Sequence, residues 1–378
     1  MTKKKMDFIP VNEPLLEGNE KKYLNECIDT GWISSTGRFV NDFETEFAKI
    51  CNRKFAVSLS SGTAALDIAI QCLDLKKKSE VITSNFSIIA CTNSIIRGGL
   101  KPILIDPPED SFNIVAKDIE AKITKDTTAI LIPHIYGLPA DMDPIQELAK
   151  KYNLKIIEDA AEVHGQQYKG QPCGSFGDIS IFSFYANKLI TTGEGGMLLT
   201  DNEEIYKKAR SLRDHCFMPG RRFIHDDIGF NFRMTNLQAA VGLSQVEQID
   251  KFLDLKRKIG SKYNSLLKDL KSLKLPIQFQ YDTENIYWAY TIIIQDKSMT
   301  ADQLSKILLE HNIQTRPTFW PLNKQPVYEG HELFSKQENL HFSNSEFLAE
   351  YALYLPCGLG ITEEQIEYIA QKVIEVFS

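Results

Sequence analysis

Between Phe55 and Thr200, short apolar runs alternate with amphipathic stretches. Phe55-Ala56-Val57-Ser58-Leu59 predicts a strand and Thr63 to Cys72 a helix; Val81-Ile82-Thr83 predicts a strand and Ile88 to Arg97 a helix. Pro102 to Ile105 and Ala129 to Ile135 predict strands, Pro144 to Tyr152 a helix, and Leu154 to Glu158 another strand. Ile179, Ile181, Phe182 and Phe184 give a strand with little polar relief, as in a sheet covered on both faces, and Gly196 to Thr200 gives one more. The alternation predicts an α/β fold with a mainly parallel sheet of about seven strands between helices.

The flanks read differently. Gly18-Asn19-Glu20 opens an amphipathic helix to about Thr30, and Val40 to Cys51 predicts a second with Phe43, Phe47 and Ile50 on one face. The loop between them, Gly31 to Gly37, carries Trp32, Ser34, Ser35 and Thr36, and its Trp and hydroxyl groups make Trp32 and Ser34 candidate substrate contacts. After Thr200 the pattern is helical: Glu203 to Leu212, then a long Lys- and Leu-rich stretch from Asn236 to Leu273. A smaller α/β unit follows, with a strand from Tyr287 to Gln295 and two helices opened by the cap patterns Thr300-Ala301-Asp302-Gln303 and Thr362-Glu363-Glu364-Gln365. These shifts predict a large domain over 1–250, including an N-terminal arm, and a small C-terminal domain over 251–378.

Composition narrows the class. The 378 residues suffice for two domains and a large core, and 43% hydrophobic with 25% charged residues is ordinary for a soluble protein. A net charge of −7 without a long basic block argues against nucleic acid as a partner, and Lys3-Lys4-Lys5 reads as a solvated terminus. No apolar run approaches the ~20 residues of a membrane helix, and no signal-like segment is seen. Seven scattered cysteines without a CxxC pair fit reduced thiols better than disulfides or zinc. The expectation is a cytoplasmic protein with no metal and no membrane partner.

The candidate chemistry gathers at strand ends. Lys188 lies just past the strand that ends near Ser183, where open α/β sheets place their ligands. Gly193-Glu194-Gly195-Gly196 then allows a tight turn. Asp159 ends the strand Leu154 to Glu158 on the same edge of the sheet. Ser60-Ser61-Gly62-Thr63-Ala64-Ala65 joins a strand to a helix N-terminus, whose free N–H groups and dipole favour an anion. No Walker Lys follows and no GxGxxG is present, which leaves a cofactor with one phosphate. Phe86, after the next strand, is a candidate to stack on a flat ring. Together these residues point to pyridoxal phosphate (PLP), with Lys188 as its Schiff-base lysine and Asp159 as the carboxylate beside its pyridine nitrogen. His134 reads as structural or supporting, and no cluster has metal-ligand spacing.

The segments Glu158-Asp159-Ala160-Ala161-Glu162, Gly174-Ser175-Phe176-Gly177-Asp178, Phe182 to Lys188 and Thr191 to Gly196 resemble the DegT/StrS family of nucleotide-sugar aminotransferases. Trp32-Ile33-Ser34-Ser35, His134-Ile135-Tyr136-Gly137, Gly229 to Asn236 and Thr315-Arg316-Pro317 extend the resemblance over nearly the whole chain. It implies the aspartate aminotransferase-like (type I) PLP fold. It also implies that Lys188 shuttles the proton, that Glu162 lies beside the ring where many relatives have Gln, and that Ser183, Gly62 and Thr63 hold the phosphate. Phe86 would stack on the ring, Arg316 would contact substrate, and Asn231 would reach the cofactor phosphate of a neighbouring subunit in a homodimer. The implied reaction is ping-pong transamination from L-glutamate, through the pyridoxamine phosphate form, to a nucleotide-linked 4-keto-6-deoxy sugar of the kind built into O-antigen lipopolysaccharide. GDP-4-keto-6-deoxy-D-mannose is the first expectation. The alternatives are a dTDP- or UDP-linked 4-keto or 3-keto sugar, and more remotely a non-catalytic regulator with the same fold. The related 3-dehydratases carry His where this chain has Lys188. The segment His215 to Arg222 departs from the family pattern; its Arg221 and Arg222 suit either a diphosphate or a solvated loop.

Overall fold

The computed structural model describes residues 6–218, 220–334, 337 and 340–377, with Arg222 described by its backbone alone. Lys3-Lys4-Lys5, Pro219 and the Arg222 side chain therefore lie outside the described residues. Seven strands form the main sheet in the order Phe55–Leu59, Gly196–Thr200, Ile179–Ser183, Lys155–Asp159, Thr127–Pro133, Glu80–Ser84, Lys101–Ile105. Every neighbouring pair is parallel except the two made by Gly196–Thr200, which runs antiparallel to both its neighbours.

The covered sheet follows from the apolar runs. Alternate residues feed opposite cores: Ala56, Phe182, Met197 and Leu199 face one, while Val57, Leu59, Ile179, Ile181 and Leu198 face the other. The first core is closed by the helices Arg38–Ile50 and Asn236–Val246, and the second by Gly62–Cys72 and Glu203–Arg213. Parallel register puts the strand ends Leu59, Ser84, Pro133, Asp159 and Ser183 on one edge, the edge where such sheets bind ligands.

A second sheet of four strands has the order Leu273–Lys274, Tyr290–Ile294, Ala352–Leu355, Arg316–Pro317 and is antiparallel throughout. The helices Ala301–Glu310 and Glu363–Phe377 pack on it. Both cap patterns form: Thr300 Oγ1 accepts from Gln303 N–H at 3.3 Å and Thr362 Oγ1 from Gln365 N–H at 3.2 Å. The N-terminal segment joins this unit. Ile9 bridges to Ile313 and is buried in the same core, and Val11 N–H donates to Gln314 Oε1 at 3.0 Å.

The stretch Asn236 to Leu273 is not one helix. It divides into Asn236–Val246 and Ile249–Leu267, with Gln248 out of helical geometry at φ −114°, ψ 9°. The second helix spans two cores, since its Ile249, Phe252 and Leu253 pack with the first helix in the larger one. Ala239, Ala240, Leu243 and Val246 pack in the larger core, whereas Ile259, Tyr263 and Leu267 pack in the C-terminal one. The segment after His215 is also more ordered than a loop, pairing Phe217–Met218 with Arg221–His225. All seven cysteines are free and buried. Among the described residues no helix is long and apolar enough to cross a membrane.

Candidate active site

A cavity of about 390 Å³ opens at the strand-end edge, between the main sheet and the C-terminal unit. Its walls include Gly62, Thr63, Asp159, Glu162, Ser183, Lys188 and Arg316. All seven are candidates of the sequence reading, and the fold brings them together from four separate segments.

The anion turn comes first. Ser61 caps the helix Gly62–Cys72, its Oγ accepting from Ala64 N–H at 3.1 Å. Gly62 and Thr63 occupy the first turn, whose N–H groups have no intrahelical acceptor, and both line the cavity. A Cβ on Gly62 would come within 2.8 Å of Ser183 Cβ, so glycine lets the turn close on the neighbouring strand. The turn after Lys188 meets the same constraint: a Cβ on Gly196 would lie 2.2 Å from Ser61 O.

Asp159 is buried. Its Oδ1 accepts from Ala161 N–H at 3.1 Å and its Oδ2 from the Cys91 thiol at 3.2 Å. Burial raises its pKa above the ordinary carboxylate value, while those two donors and Lys188 oppose the rise. Glu162 behaves alike: burial raises it and Lys188 lowers it. Its Oε2 accepts from Tyr136 N–H at 2.9 Å and its Oε1 faces Lys188 Nζ at 3.4 Å. Lys188 Nζ also sits 4.0 Å from the centre of the Trp288 ring. The Trp288 indole N–H donates to Asn187 O at 2.9 Å, so one side chain supports the lysine and clamps the residue before it.

Trp288, Asn187 and Tyr354 are among the wall residues that the sequence reading does not single out. Trp288 and Tyr354 come from the C-terminal unit, where nothing in the local pattern points at a strand end some hundred or more residues earlier. Asn187, beside Lys188, was the readable one. Its Oδ1 is buried with no hydrogen-bond partner among the described residues, as an acceptor left for a ligand would be.

Phe86 is not among the residues lining the cavity. Its ring has no exposed surface and packs against Phe112, Tyr136 and Phe319, with centroids 5.8, 6.1 and 5.6 Å away. Phe86 N–H bonds to Ser84 Oγ at 3.0 Å, and the turn sends the ring below the wall, while Ser87, Ile88 and Ala90 of the same segment line the cavity. Trp32, Ser34 and Asn231 are exposed and do not line this cavity. Trp32 and Ser34 instead anchor Asn236, through Trp32 O to Nδ2 at 2.7 Å and Ser34 O to the backbone N–H at 2.5 Å.

The histidines support rather than line up for chemistry. His164 is held neutral, its pKa lowered to about 3 by burial and by the charge of Lys188, and its Nε2–H donates to Ser183 O at 2.9 Å. His134 Nδ1 accepts from Ala140 N–H at 3.0 Å, so Nε2 is the donor facing Glu158 Oε1 at 3.0 Å. Glu158 also accepts from Gly174 N–H at 2.6 Å and Phe176 N–H at 2.9 Å. Cys173 lies within 4.8 Å of that pair, and burial raises its thiol well above the usual range. These engaged atoms make a buried strut between strands, contrary to the donor pattern of a metal centre, which keeps lone pairs free.

The family model for DegT/DnrJ/EryC1/StrS aminotransferases matches residues 14–374. The chain belongs to this family. It is 39% identical over 373 residues to the GDP-perosamine synthase of Escherichia coli O157:H7, covering 99% of this chain and 100% of that protein. It is 37% identical over 375 residues to the GDP-perosamine synthase of Vibrio cholerae, covering 98% and 100%. Among solved structures, S. venezuelae DesV in complex with a ketimine intermediate matches with a TM-score of 0.90 at 28% identity, over 99% of each chain. The aminotransferase from Psychrobacter cryohalolentis also matches with a TM-score of 0.90 at 28% identity, over 98% of each.

The chain is accordingly a PLP-dependent sugar aminotransferase, and its fold is the α/β architecture that the strand-helix alternation predicts. The cavity suits PLP on its own evidence. It combines an anion turn, a buried carboxylate, an orphaned acceptor on Asn187 and one amine. In this family setting Trp288 has a testable part. Trp288→Leu is expected to lower kcat about a hundredfold, the scale of a desolvated cation–π contact plus a lost hydrogen bond, with Trp288→Phe falling between. Steady-state kinetics decide it, and equal kcat across the series would show that the indole does not support Lys188.

Proposed function

We propose that this aminotransferase converts GDP-4-keto-6-deoxy-D-mannose to GDP-perosamine, with L-glutamate as amino donor. The observation that carries the reading is the 37–39% identity, over 97–99% of this chain, to three GDP-perosamine synthases. The seven buried thiols suit a reducing cytoplasm.

PLP, when bound, supplies an electron sink for the pair left by a departing proton. Gly62, Thr63 and Ser183 would hold its phosphate, and Asp159 would face its ring nitrogen. Lys188 would anchor the cofactor and, once free, carry a proton at Nζ between donor carbon and cofactor. Glu162 and Trp288 hold that Nζ from two sides. Arg316, an exposed cation beside Tyr354 on the cavity wall, would meet an anionic substrate group. Asn231, exposed and away from this chain's own cavity, would complete the site of a second copy in a homodimer.

The test is a substrate panel. Purified protein with L-glutamate should aminate GDP-4-keto-6-deoxymannose with a kcat/KM at least about a hundredfold above dTDP- and UDP-linked 4-keto or 3-keto sugars, the discrimination a site gains by pairing a base's polar groups. Product from a dTDP sugar with none from the GDP sugar would overturn the nucleotide assignment and leave the transamination intact.

A further inference from the structure

Behind the cavity, Cys91 lies on the helix Ile89–Arg97 and is fully buried. Its thiol donates to Asp159 Oδ2 at 3.2 Å, across 68 residues of sequence, while Ala161 N–H serves Oδ1 at 3.1 Å. We infer that Cys91 is a positioning residue for the reaction, a permanent hydrogen-bond donor that fixes the Asp159 carboxylate and favours its charged form. The inference rests on the reading that Asp159 faces the cofactor's ring nitrogen.

Three observations support it. The thiol is kept protonated, because burial and the neighbouring Asp159 charge both raise it well above its usual range. It is therefore a donor, not a nucleophile. The bond lies on the side of Asp159 away from the cavity, because Asp159 lines the cavity and Cys91 does not. Finally, a donor to a buried carboxylate stabilises the ion against the desolvation that opposes it. The other titratable groups acting on Asp159 are Lys188 and His134, which favour the ion, and Glu162, whose like charge disfavours it.

The isosteric series Cys91→Ser, Cys91→Ala and Cys91→Val separates the hydrogen bond from the space it fills. Serine keeps a donor, alanine removes donor and volume, and valine removes the donor while filling the space. Two readouts apply to the full chain. In cofactor-free protein, the carboxyl titration of Asp159 is followed by carbon NMR. In the reconstituted enzyme, the protonation of a ring-labelled cofactor nitrogen is followed by nitrogen NMR.

The alanine and valine variants should raise the Asp159 midpoint by about half to one pH unit, the scale of one lost hydrogen bond to a charged group. They should also lower the pH at which the ring nitrogen loses its proton, and serine should restore both. A titration in alanine and valine that matches wild type overturns the inference. If valine does not fold, the alanine and serine pair decides. A shifted carboxyl with a ring nitrogen that does not respond would count against Asp159 facing that nitrogen, and so against the functional reading, while a ring nitrogen protonated in wild type with no carboxyl shift in the variants counts against Cys91 alone.

Discussion

Lys188→Ala is expected to lose transamination by about 10⁴-fold or more, together with the visible absorbance of the lysine-bound cofactor. The reason is that no other group can replace it. Among the described residues lining the cavity, Lys188 carries the one amine; Arg316 offers a guanidinium, which keeps its protons at any working pH, and both ring nitrogens of His134 are engaged by Ala140 N–H and Glu158. Lys188→Arg should therefore fail as well: it keeps the charge beside Glu162 but cannot take up a proton. The fold should survive either change. Glu162 keeps its bond from Tyr136 N–H, and the anion turn does not touch the lysine. Phosphate-bearing cofactor should accordingly still bind, without a covalent link. Absorbance spectra, steady-state rates and thermal unfolding of the two variants measure all three expectations. Turnover above about a hundredth of wild type in Lys188→Ala would place the proton transfer elsewhere.

The sequence carried the parts of this site whose signal is local. Lys188, Asp159 and the Ser61-Gly62-Thr63 turn each stand at the end of an apolar strand, and strand ends are legible from alternation and turn chemistry. Parallel register then places them on one edge, so reading the strands located the site. The orientation of Phe86 was not legible in this way. Its place in the chain is a strand end, but the direction of its ring is set by Phe112, Tyr136 and Phe319, which arrive from elsewhere. Trp288 and Tyr354 were unreadable because the partner they meet is created by packing one unit against the other. The Asn236 to Leu273 stretch shows the same limit within a helix: its composition favours helix throughout, and nothing in the local pattern marks the break at Gln248. Trp32 and Ser34 looked like ligand contacts by composition, whereas within one chain their carbonyls hold Asn236.

Asp159→Asn is expected to lower kcat about 10²- to 10³-fold, the scale of removing one preorganised electrostatic group from a reacting centre. The shape of the side chain is retained, so the loss would belong to its charge. The same substitution should leave the cofactor-free protein as stable as wild type or more so at neutral pH, and the sign follows from linkage. Burial raises the folded pKa of Asp159 above its ordinary value of 3.8. Between 3.8 and the raised value, the folded chain binds more protons at this site than the unfolded chain does. Stability at this position therefore falls as pH climbs through that window and stays lower above it. An amide carries no charge to desolvate, and its oxygen can still accept from Ala161 N–H. Comparing the two proteins across pH, Asp159→Asn should unfold at a similar temperature to wild type below the window and at an equal or higher one at pH 7. A carboxylate retained for packing would behave oppositely, losing stability with little change in rate. A drop in midpoint at pH 7 with turnover preserved would make Asp159 a structural residue.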